Sequence, residues 1–143
     1  MRILAMDVGR TRIGLAISDP SQTLARPLTT LMVRADTAID TVVQAIARLV
    51  AEDDGLERVV VGLPVRLNGE PNEQTRYVEK FVGALKTRTG LPIEVEDERL
   101  TSREAESRLA LRERDWRKRK EQLDAAAAAI ILQDYLDRRQ QQA

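Results

Sequence analysis

The chain has 143 residues, 43% hydrophobic and 32% charged, with 23 Lys and Arg balancing 23 Asp and Glu, so one domain over residues 1–143 with one sizeable core is expected and any nucleic-acid contact must rest on local patches. One Trp, two Tyr and one Phe leave Val, Leu, Ile and Ala to build that core, which favours aliphatic α/β packing. The absence of Cys and His excludes thiol nucleophiles, thiolate or imidazole metal sites and every Ser-His or Cys-His arrangement, leaving carboxylates, hydroxyls and lysines for any chemistry.

RILAMDV at 2–8 reads as a strand buried on both faces, and RIGLAIS at 12–18 alternates Ile13, Leu15 and Ile17 with small or polar residues. The two look like a hairpin. A third strand lies in LARPLTTLMV at 24–33, where Pro27 points to a sheet edge or a strand start. Ile39, Val42, Val43, Ile46, Leu49 and Val50 recur at helical spacing, and EDDG closes that helix with Gly55 as a C-cap. The apolar run RVVVGLP at 58–64 reads as a central parallel strand. After the polar loop RLNGEPNEQ comes a helix with core face Val78, Phe81, Val82 and Leu85, closing near Gly90.

LPIEVEDER at 91–99 is the next strand, and the capping-box spacing of Thr101 and Glu104 opens a helix that fades in RERDWRKRK. DAAAAAIILQDYL at 124–136 is a helix by propensity, whereas the RKRK run and the QQQA tail read as loosely ordered. The order βββαβαβαα predicts an α/β fold with a five-stranded mixed sheet, helices on its faces and sites at the carboxyl ends of the parallel strands.

Three acidic segments stand out. Asp7 ends the first strand on the face of Ile3 and Ala5 and needs a partner or a cation if buried. The spacing Asp7, Gly9, Gly14 is not a dinucleotide fingerprint, because a strand and not a helix follows it; a turn carboxylate before Gly9 is the plainer reading. In EVEDER, Asp97 and Glu98 point to opposite sheet faces, and Glu94 and Glu96 read as a solvated edge face. Asp124 reads as the start of the alanine helix, an N-cap by type. The five alanines after it suit a helix pressed close to the sheet, so three carboxylates from separated segments can converge on one or two hard divalent ions.

The stretches MDVGRTRIGLAISD, VVVGLPVRLNGEPNEQTRYVEKFVGAL, VEDERLTSREAE and DAAAAAIILQDYL, in that order over nearly the whole chain, resemble the YqgF or RuvX family of the ribonuclease H-like superfamily, described as pre-ribosomal-RNA nucleases and Holliday junction resolvases. The resemblance implies a ribonuclease H-like fold and a catalytic metal site at Asp7, Glu98 and Asp124, holding Mg²⁺ or Mn²⁺, with Asp97 as a second candidate in the DER motif. Such a site implies two-metal phosphodiester hydrolysis leaving a 5′-phosphate and a 3′-hydroxyl.

Around it, Arg10 and Arg12 are candidates for phosphate, and Arg66 and Asn68 follow a parallel strand end, as Arg99 follows the DE pair. In RERDWRKRK, Arg114, Arg117, Lys118, Arg119 and Lys120 suit backbone phosphates and Trp116 a stacked base, against a solvated helix end with Trp116 on the core. The expected function is a metal-dependent endonuclease on structured RNA or branched DNA, in 5′-end processing of pre-16S rRNA or in junction resolution; junction resolution calls for two sites and hence a homodimer. A catalytically weak nucleic-acid-binding module of the same fold is the alternative. No apolar run is long enough to span a bilayer, so a soluble cytoplasmic protein without membrane association is expected.

Overall fold

Five strands form one sheet: Arg2–Val8 (β1), Arg12–Ser18 (β2), Ala25–Met32 (β3), Leu56–Leu63 (β4) and Ile93–Asp97 (β5). The helices are Ala38–Ala51 (α1), Glu73–Lys86 (α2) and Trp116–Gln142 (α3) in this computed structural model, which describes residues 1–65, 68–97 and 116–142. The sheet order is β3-β2-β1-β4-β5. β1 pairs antiparallel with β2 and parallel with β4, β5 extends the parallel half, and β3 extends the antiparallel half. Pro27 lies on the edge strand β3, beside a register shift between Leu15 and Ala16, where a missing N–H costs no ladder bond to a further strand.

Strand alternation divides the sheet into two unlike faces. Leu4, Met6 and Val8, Ile13, Leu15 and Ile17, and Val59 and Val61 build the larger core with Val42, Ile46 and Leu49 of α1 and Val78, Phe81 and Leu85 of α2. The opposite face carries Ile3, Ala5, Ala16 and Val60, against Ala128, Ile131, Leu132, Tyr135 and Leu136 of α3. Large side chains on one face fill the gap to two helices, and small ones on the other let a single helix approach closely. Each fully buried Ile or Leu of α3 contributes about 1.5–3 kcal/mol by leaving water, so Ile131, Leu132 and Leu136 anchor the helix.

The last helix differs from its sequence reading. It spans 27 residues, about 40 Å at 1.5 Å per residue, and takes in both the RKRK run and Gln140–Gln142. Asp124 therefore lies eight residues inside α3 and is not its N-cap. WRKRKEQL consists mostly of good helix formers, and their summed propensity outweighs the capping preference of one Asp. The first helix closes at Glu52, with Gly55 (φ +58°) in the turn beyond it. The second starts in a capping box: the Asn72 side chain accepts from the Thr75 N–H at 2.9 Å, and the Thr75 hydroxyl oxygen accepts from the Asn72 N–H at 2.9 Å. The helix expected from Thr101 lies outside the described residues.

Glu94 and Glu96 of β5 are partnered carboxylates and not a free solvated edge. Glu94 pairs with Val60 and Glu96 with Gly62 in register, so both side chains lie on the face that α3 covers. Arg58 donates to Glu94 at 2.8 Å and to the Tyr135 hydroxyl at 3.2 Å, and that hydroxyl in turn donates to Glu94. Glu96 is buried and ion-paired with Arg138, a residue that reaches it because α3 continues past Leu136. Burial, followed by the bond to Glu94, raises the Tyr135 pKa. Tyr135→Phe should lower stability by about 1 kcal/mol, the usual worth of such a bond, as a fall in urea midpoint with unchanged slope.

At the far end of the β1–β2 hairpin, Asp19 organises the turn into β3. Its carboxylate accepts from the Ser21 hydroxyl and from the N–H groups of Thr23 at 2.8 Å and Leu24 at 3.0 Å. These bonds, Ser21 first, hold its pKa at about 2 in place of 3.8. Because the folded value is the lower one, the stabilisation is complete above the unfolded pKa and disappears as pH falls through about 2. Asp19→Asn should therefore flatten the acid limb of the stability profile between about pH 4 and pH 2, measured by thermal melts.

Candidate active site

Asp7 sits near the carboxyl end of the central strand, one position before Val8, and its cross-strand partner is Gly14. Directly opposed residues on antiparallel strands share a face, so Asp7 and Gly14 both look toward α3. There the helix comes so close that a Cβ on Gly14 would lie 2.0 Å from the carbonyl oxygen of Asp124 and 2.8 Å from the nitrogen of Ala125. The backbone of Asp124 thus occupies the space that any other residue at position 14 would fill. Through this contact Asp7 and Asp124, 117 positions apart in sequence, become neighbours across one glycine.

Arg12 completes the local arrangement. Two residues before Gly14, it lies on the same face, and its Nε donates to Asp124 Oδ2 at 2.7 Å. With Arg12 and Asp124 only 29% and 21% exposed, this charge-assisted bond is stronger than a surface pair and fixes the carboxylate's orientation. The turn before it is tight: the Gly9 N–H donates to the Arg12 carbonyl at 2.8 Å, and a Cβ on Gly9 would meet that oxygen at 2.7 Å. The Gln74 amide donates to the Val8 carbonyl at 3.1 Å, tying the first turn of α2 to the strand that carries Asp7.

The remaining candidates fall into separate places. Asp97 pairs with Leu63, so it lies on the α1 and α2 face, opposite to Asp7 and Asp124. Glu98, Arg66, Arg99 and Arg114 lie outside the described residues. Trp116, Arg117, Lys118, Arg119 and Lys120 form the first turns of α3. Asn68 accepts from the Glu70 N–H at 3.0 Å in its own exposed loop. Arg10 lies over the Tyr77 ring at 4.6 Å, beside the hairpin turn. Sequence reasoning singled out Arg12 for phosphate and missed its bond to Asp124. It also passed over Gln74, Arg76, Tyr77 and Lys80, whose signal is the polar face of α2 at helical spacing.

The donor set suits a hard divalent cation. Asp7 and Asp124 offer carboxylate oxygens, the ligands that Mg²⁺ and Mn²⁺ prefer, on one water-accessible face at a strand end. Among the described residues no three acidic side chains form a cluster. Among the described residues no helix is long and apolar enough to cross a membrane.

A mixed sheet in the order β3-β2-β1-β4-β5 with helices on both faces is the arrangement of a ribonuclease H-like domain, with Asp7 near the end of its central strand and Asp124 on the helix that packs beside it. A family model described as "RuvX: Holliday junction resolvase" matches residues 1–138. The chain belongs to that family. It is 48% identical over 137 residues to a protein of Chloroflexus aggregans named "Putative pre-16S rRNA nuclease", with 96% of this chain and 94% of the relative covered. A protein of the same name from Anaeromyxobacter sp. is 47% identical, with 97% and 98% covered. Among solved structures, Thermus thermophilus RuvC in complex with a Holliday junction substrate superposes with a TM-score of 0.58 at 19% identity, covering 98% of this chain and 96% of that one. That likeness concerns the fold.

Proposed function

We propose that the chain is a divalent-metal-dependent endonuclease acting on structured nucleic acid, with Asp7, Asp124 and Glu98 as its catalytic carboxylates. The observation that carries the reading is the seating of the Asp124 backbone on Gly14, the cross-strand partner of Asp7, which places two residues distant in sequence side by side at the strand end where α/β sites form. Asp97 turns to the other face, and that favours its neighbour Glu98 as the third ligand. A bound pair of Mg²⁺ or Mn²⁺ ions supplies activation of water at neutral pH and offsets charge on the phosphate oxygens.

The chain's own residues do the positioning. Asp7 is carried by a fully paired central strand and Asp124 by a helix packed on that strand's neighbour, so neither backbone shifts easily. Arg12 holds Asp124 in one orientation and places a guanidinium beside the site, where a phosphate also binds well. The tight Gly9 turn keeps Arg10 and Arg12 on one rim.

Precursor 16S rRNA is the first substrate to test, because relatives at 47–48% identity carry that name; four-way DNA junctions are the second, because the family's description names them. Labelled precursor RNA and labelled four-way junction are incubated with wild type and Asp7→Asn, in Mn²⁺ or in chelator. Mn²⁺-dependent cuts by wild type alone support the nuclease reading, and the lane cut faster gives the substrate class. Cutting of the junction requires a symmetric dimer by sedimentation. Both substrates shifted but uncut by wild type would leave a binding module in place of an enzyme.

A further inference from the structure

Next to the Gly9 turn, Arg10, Glu73, Arg76, Tyr77 and Lys80 line an open groove of about 540 Å³. Positions 73, 76, 77 and 80 of α2 share one helical face, spread over about 10 Å of the axis at 1.5 Å per residue. Three cations stand against the single carboxylate of Glu73, in a chain whose formal net charge is zero. Among the described residues neither Arg76 nor Lys80 makes an ion pair, although both are exposed. The Arg10 guanidinium carbon lies over the Tyr77 ring, 4.6 Å from its centroid, so the groove's wall is a guanidinium in cation–π contact with a ring.

We infer that this groove is a backbone track for single-stranded nucleic acid leading to the carboxylate pair, with Arg76 and Lys80 on successive phosphates and the Arg10–Tyr77 stack under a base. The inference rests on the nuclease reading above and extends it from the reacting centre to the strand's path. Three observations favour a nucleic-acid strand as occupant. The basic side chains lie in a row along one helix face, as successive phosphates do along a strand. The stacked guanidinium offers the flat surface that unpaired bases use. The groove lies at the strand end that carries Asp7: Gln74, in the same turn of α2, donates to the carbonyl of Val8, the residue after Asp7. These residues therefore position substrate and do not touch the reacting atoms.

The test uses a fluorescein-labelled, unstructured 16-nucleotide RNA and the full chain in chelator, where cleavage is silent. Fluorescence anisotropy is measured across a salt series for wild type, Arg76→Ala/Lys80→Ala and Tyr77→Leu. Each phosphate contact on a single strand contributes about 0.7 to the slope of log affinity against log salt. The double variant should lower that slope by about 1.4 and weaken binding roughly tenfold at low salt. Tyr77→Leu, which keeps an apolar side chain against the core, should weaken binding with the slope unchanged, because stacking releases no counterions.

An unchanged slope and affinity in the double variant, or no measurable binding by wild type, overturns the track. Failure of the nuclease reading shows elsewhere, as Mn²⁺-supported cutting that survives Asp7→Asn. The two failures are thus separable.

Discussion

Asp7→Asn should reduce single-turnover, Mn²⁺-supported cleavage by more than about 10²-fold, beyond the 10–100-fold typical of residues that only orient a metal ligand. The substitution keeps shape and hydrogen-bonding capacity but removes the negative charge that a divalent cation requires. Asp7 sits within β1, the strand both cores share, and is only partly exposed, so its carboxylate is held in place by elements that the substitution leaves intact. Thermal unfolding should therefore change little while the rate collapses. Asp124→Asn should give a similar loss of rate, with some loss of stability as well, because the charge-assisted bond from Arg12 is weakened. A variant at either position that cleaves at the wild-type rate would remove that residue from the catalytic set.

Gly14→Ala should be severely damaging for the addition of a single methyl. The added Cβ would lie 2.0 Å from the Asp124 carbonyl oxygen and 2.2 Å from its carbonyl carbon, and both are backbone atoms of a packed helix. No rotamer change relieves such a clash. Either α3 moves out from β2, opening the interface around Ala128 and Ile131, or β2 bends away from β1. Overpacking of this kind costs about 3 kcal/mol or more, at the upper end of what inserted methyl groups do. Activity should fall further than the folded fraction, since the displaced helix carries Asp124. Denaturant titration gives the first quantity and cleavage per folded molecule the second; an alanine variant with wild-type stability would contradict the close approach itself.

The parts of the fold that were legible in the sequence are those set by local periodicity. β1 and β2 begin and end where their apolar runs do, and the core face of α2 was visible in Val78, Phe81, Val82 and Leu85. The alanine run signalled close packing, and Gly14 is where that packing occurs. Local signals failed where two of them competed. Asp124 is a good N-cap residue, yet the charged stretch before it is helix-forming, and one long helix forms across both.

Glu94 and Glu96 looked solvated because a strand's alternation says which residues share a face and not what covers it. The covering residues, Tyr135 and Arg138, come from an element more than 40 positions later. Asp7 and Asp124 likewise stood out as residue types, although Asp124 reads as a helix start and lies inside α3. The cation that holds Asp124 did not stand out, since the Arg12–Asp124 bond spans 112 positions.

The most direct test of a metal centre at Asp7 and Asp124 is Mn²⁺ titration followed by electron paramagnetic resonance, in which bound Mn²⁺ leaves the sharp signal of the aqueous ion. Wild type should bind Mn²⁺ and compete for it with Mg²⁺, and Asp7→Asn/Asp124→Asn should leave the aqueous signal undiminished while keeping its fold. Equal Mn²⁺ binding by the wild type and the double variant would contradict the account, because the cation would then be held somewhere other than the end of the central strand.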